Sequence, residues 1–70
     1  MTQEIQKLIL QTYGSKAHFA QRMKVSRLTG YKYFSNPEKM PFGHFIKLCK
    51  HAKIDVKTFI NKSIEEDIYE

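Results

Sequence analysis

Gly14, the Val25-Ser26 step, the Asn36-Pro37 pair and Pro41 cut residues 1–41 into pieces no longer than about four helical turns. Within those pieces apolar residues recur at helical spacing. Ile5, Leu8, Ile9 and Thr12-Tyr13 form a stripe after Thr2, a suitable N-cap, and this first helix is expected to end at Gly14. Ser15 can cap a second helix over 16–23, with Phe19, Ala20 and Met23 on one face and Lys16, Gln21 and Arg22 on the other. Ser26 can cap a third over 27–34. Beyond the prolines a fourth helix is expected over 42–52, burying Phe42, Phe45, Ile46, Leu48 and Cys49. Asp55 can cap a fifth over 56–61, with Val56, Phe59 and Ile60 inward. No stretch alternates long enough to read as a strand. The expectation is an all-α, compact five-helix domain over 1–62 and a short tail, 63–70, in which Ser63 and Glu66 have capping-box spacing.

Charge separates these two parts. Residues 1–62 hold all twelve lysines and arginines against three acids, +9, while 63–70 hold four acids, −4, for the net +5 of the chain. A basic body of this size suits a polyanionic partner, most often nucleic acid, since neutralising phosphates releases counterions and needs little dedicated architecture. Seventy residues that are 41% hydrophobic can build one modest core but not a deep catalytic pocket, so an enzyme is not expected. The single Cys49 cannot form an internal disulfide, which points to a reducing compartment. The longest apolar run is Leu8-Ile9-Leu10, far short of a membrane span, and the opening residues lack a signal peptide's apolar stretch. A cytoplasmic location without membrane contact is the expectation.

The second and third helices are separated by a tight turn, the layout of a helix-turn-helix, in which one helix braces on the DNA backbone and the next enters the major groove. Phe19-Ala20, Val25-Ser26 and the run from Phe45 to Ile60 carry a resemblance to the phage repressor and Cro-type, lambda-repressor-like, helix-turn-helix DNA-binding family. The resemblance runs without a gap from Ser15 to Ile60. It makes Ala20 the small residue that lets the two helices approach, and Ser26 the cap of the recognition helix. Two positions depart from the family pattern. Where the family places glycine in the turn this chain has Lys24, which is expected to reshape that turn. Where it places an aliphatic anchor the chain has Gly30, which costs about 1 kcal/mol of helix propensity relative to alanine and leaves Tyr33 and Phe34 to fill the gap or the helix shifted and loosened.

The resemblance implies a base-reading surface of Ser26, Arg27, Leu28, Thr29, Tyr31 and Lys32. Arg27 would bond a guanine edge bidentately, Thr29 a base or methyl group, and Lys32 a phosphate. Lys16, beside the free N–H groups that open the second helix, would grip one phosphate, and Asn36 and Lys39 another. The implied partner is double-stranded DNA, read by a small regulator of a temperate phage's lysis-lysogeny switch, working as a homodimer in the bacterial cytoplasm. The surface is unusual for such a reader, because Leu28 and Tyr31 are apolar or aromatic and the familiar glutamine or asparagine adenine readers are missing. As a runner-up reading, Leu28, Tyr31 and Tyr33 would also suit docking on a repressor protein, as an antirepressor does. A dimer seam could draw on Phe59, Ile60, Ile64 and Ile68. His44, Cys49 and His51 fall on different helix faces at spacings of five and two, so no metal site is expected and no cofactor is implied.

Overall fold

A computed structural model describes residues 2–61, and among them every regular element is helical. Helix α1 spans Thr2–Tyr13, α2 Lys16–Met23, α3 Arg27–Ser35 and α4 Phe42–Ala52, with one turn of 3₁₀ helix at Pro37–Lys39. A fifth helix, α5, covers 56–61. The acidic tail, its capping-box spacing, and Ile64 and Ile68 lie outside the described residues.

Local chemistry accounts for these boundaries. Ser15 and Ser26 are extended N-caps whose hydroxyls accept from the N–H groups of His18 and Thr29, each at 3.1 Å. The Asp55 carboxylate accepts from the N–H groups of Lys57 and Thr58, at 2.8 and 3.3 Å, and so opens α5. Gly14 closes α1 at φ +86°, with its N–H donating to the Leu10 carbonyl. Helices α2 and α4 end in the same motif: the left-handed residues Lys24 and Lys53 donate to the carbonyls of Gln21 and Lys50, and Val25 and Ile54 donate to Ala20 and Cys49. That is a Schellman cap with lysine where glycine is usual.

Lys24 therefore does not reshape the turn. Its backbone takes φ 59°, ψ 39°, the left-handed conformation that glycine adopts more cheaply. Two cap hydrogen bonds and the half-buried Val25 hold it there. Lys24→Gly should raise stability by about 1 kcal/mol, since the strain outweighs glycine's extra chain entropy at this one position. A urea midpoint unchanged or lowered in that variant would contradict the left-handed assignment.

The core forms where Ile5, Ile9 and Tyr13 of α1 meet Phe19 and Met23 of α2 and Phe45, Leu48 and Cys49 of α4. Phe42 departs from expectation: it stands 62% exposed, its ring stacked on Phe45 at 6.3 Å between centroids. As the first residue of α4 it stands at the rim of an open cleft that it lines with Ile5, Met40, Phe45 and Ile60 rather than inside the core. Ile46 is only half-buried.

Helix α3 is seated mainly on α2. Gly30 is buried and faces Ala20 so closely that a β-carbon at position 30 would lie 2.9 Å from the Ala20 Cα. Gly30 is thus the contact itself rather than a missing anchor, and Ala20 is small for the matching reason. Tyr33 and Phe34 do pack against the core, Tyr33 with its ring 5.7 Å from that of His44. The Gln6 side-chain amide donates to the Phe34 carbonyl at 3.0 Å, tying α1 to the end of α3.

Candidate nucleic-acid interface

The Gly30 contact fixes the rotation of α3, and with it the side that faces solvent. At about 100° per residue, Leu28 lies on the far side of the helix from Gly30, and Tyr31, Lys32 and Ser35 continue its row. All four are exposed, as is Arg27 in the first turn. Leu28 is 66% exposed and Tyr31 38%. The exposed face of α3 is therefore a broad stripe, with Arg27 at its start on the side nearer α2, an apolar and aromatic middle and Lys32 on the opposite edge.

Two neighbours extend this stripe. Lys16, the first residue of α2, places its ammonium over the Phe34 ring at 4.8 Å and near the Tyr31 ring at 5.8 Å. Its charge is thereby held against α3 by cation–π attraction. On the same side of α3, nearer its start, Ser15, Ala17, His18, Gln21, Val25 and Arg27 line an open cleft of about 730 Å³ between α2 and the start of α3. The His18 ring nitrogen Nδ1 lies 3.0 Å from the Tyr13 carbonyl, which can only accept, so Nδ1 carries the proton.

Ser26 and Thr29 are occupied differently. The Ser26 hydroxyl accepts from the Thr29 N–H and donates to the Thr29 hydroxyl at 2.9 Å, so both are engaged in the cap. Thr29 keeps its own hydroxyl hydrogen for a further partner, whereas Ser26 has spent its donor. Asn36 and Lys39 are exposed beyond the other end of α3, about 13 Å along the axis from Arg27. Tyr33 is half-buried on the core side, two residues and so about 200° round from Tyr31, which leaves Leu28 and Tyr31 as the exposed apolar pair.

His18 and Gln21 join the site only through the packing of α2 on α3, although their spacing of three on the polar side of α2 is visible in the sequence. Nothing in the spacing pairs Lys16 with residues fifteen and eighteen positions later.

The titratable groups displaced from their ordinary range lie away from this face. The Tyr13 hydroxyl and His51 Nδ1 are hydrogen-bonded at 2.6 Å, joining the ends of α1 and α4. Burial first, then Arg22 and Lys47, lowers the His51 pKa, while burial chiefly raises that of Tyr13. A histidine lowered on folding binds fewer protons than the unfolded chain, so stability is fully present above about pH 6.5 and falls as pH drops below it. The urea midpoint should decline from pH 8 to pH 5.5, and His51→Gln should flatten that decline; an equal decline in both proteins would assign it elsewhere.

Cys49 is fully buried, and burial, followed by Asp55, raises its thiol pKa, so it behaves as a core residue. Among the described residues no three histidine, cysteine or acidic side chains converge to hold a metal ion, and no helix is long and apolar enough to cross a membrane. No family model, curated protein or solved structure matches the chain.

Proposed function

We propose that this chain is a small transcriptional regulator of the phage Cro and repressor type that binds operator DNA through α3. The observation that carries the reading is the exposed face of α3, with Arg27 and Lys32 exposed on a helix seated on α2 by the Ala20 and Gly30 contact. In this reading α2 and α3 form a helix-turn-helix. Helix α3 enters the major groove with Arg27 at a guanine edge, and Lys16 and Lys32 meet phosphates on either side. Gln21, beside Arg27 in the cleft, supplies the side-chain amide that α3 itself lacks.

One such domain covers one half-site and binds weakly alone, so a homodimer on two half-sites about 34 Å apart is part of the proposal. Phe59 already packs on the chain's own Phe45, ring to ring at 5.9 Å, which reduces what it can offer to a dimer seam.

A second reading is favoured by Leu28 and Tyr31, whose exposure on the same stripe suits capture of a repressor protein by an antirepressor. Fluorescence anisotropy with duplex DNA from upstream of the chain's own gene separates the two. The DNA reading expects binding that survives an unrelated competitor duplex and weakens steeply between low and near-physiological salt. Weak, equal binding to both duplexes would remove DNA reading and leave repressor capture.

A further inference from the structure

Leu28, 66% exposed, is the side chain of the stripe least suited to a polar groove, and the geometry that places it there suggests what it contacts. Gly30 lies against α2, so Leu28, two residues earlier, points almost directly away from the domain. Arg27 precedes it in the same first turn and is exposed as well. When α3 enters a major groove by this turn, Leu28 reaches the base edges beside Arg27.

A leucine side chain neither donates nor accepts hydrogen bonds. Against cytosine's amino group or the oxygen and nitrogen acceptors of guanine it would strip water from a polar group and return nothing. The C5-methyl of thymine is the one apolar feature of a standard base pair in that groove. We infer that Leu28 is a specificity-determining residue that reads a thymine methyl next to the base pair contacted by Arg27. The half-site accordingly contains thymine beside guanine, and Leu28 selects against the same position lacking a methyl group. The inference rests on the DNA-binding reading, and it gives the apolar residue of the stripe a role within that reading.

Deoxyuridine pairs as thymidine does and lacks only the methyl, so it isolates this contact. Duplexes preferred by the purified full chain are first selected from a random-sequence pool, and each thymine of the selected site is then replaced singly by deoxyuridine. One replacement should weaken wild-type binding about fourfold, the worth of one buried methyl-sized group. Leu28→Ala, a surface change checked for folding by circular dichroism, should bind the thymine and uracil forms equally.

A selected site at which no uracil replacement matters would overturn the assignment while leaving DNA reading intact. So would a uracil penalty that persists in Leu28→Ala. A pool that yields no preferred sequence would overturn the DNA reading itself, and this inference with it.

Discussion

Gly30→Leu, which puts an aliphatic side chain at this position, should destabilise the domain severely, and even Gly30→Ala should cost about 2 kcal/mol or more. Helix propensity alone argues the other way, since alanine is favoured over glycine in a helix interior by about 1 kcal/mol. Packing decides the sign. A β-carbon at position 30 would lie 2.9 Å from the Ala20 Cα, which is backbone and cannot rotate aside, so α3 must lift from α2 to admit it. Overpacking of this kind costs about 1 to 3 kcal/mol, and leucine adds three more carbons at the same point. A domain of this size has roughly 3 to 10 kcal/mol in total, so Gly30→Leu should be largely unfolded at 37 °C. Thermal melts followed by circular dichroism measure both variants. Adding Ala20→Gly to Gly30→Ala should recover part of the loss, because it removes the facing β-carbon but not the backbone behind it. A higher melting temperature in Gly30→Ala would mean that α3 is not seated on α2 at this contact.

The same pair shows where reading the chain alone stops. Helix ends were legible because their causes are local: Ser15, Ser26 and Asp55 each accept from N–H groups two or three residues ahead. Gly30 was read as a weak point because propensity is also local, whereas its reason is Ala20, ten residues earlier on another helix. Lys24 suggested a distorted turn because its side chain disfavours the left-handed region. The bonds that hold it there run from backbone groups, which every sequence carries alike. Phe42 fits the apolar spacing of α4, but periodicity cannot tell that this one ring of the first turn is left outside the core. Of the candidate interface, the residues of α3 came from the resemblance, and which of them face outward required the Gly30 contact. The placement of Lys16 over Phe34 and the cleft joining Gln21 to Arg27 required the packing of α2 on α3.

Arg27→Ala should leave the fold intact and remove the preference for operator over unrelated DNA, whereas Lys16→Ala should weaken both alike. Arg27 is exposed in the first turn of α3, so its truncation should change stability by no more than about 0.5 kcal/mol. A bidentate arginine–guanine contact contributes about 1 to 3 kcal/mol of discrimination, and a homodimer would lose it at both half-sites, enough to bring the two duplexes to near-equal affinity. Lys16 carries no base information in this arrangement. Its loss should lower the slope of log affinity against log salt by about one while the ratio between duplexes stays fixed. Lys16→Arg should retain most of the affinity, because a guanidinium also lies well over the Phe34 and Tyr31 rings. Competition anisotropy at several salt concentrations separates these outcomes, since one variant moves the ratio and the other the slope. Selectivity that survives in Arg27→Ala would show that the first turn of α3 does not read bases. The exposed pair Leu28 and Tyr31 would then be better explained by a protein partner, and Leu28→Ala and Tyr31→Ala should be the variants that abolish capture of a repressor.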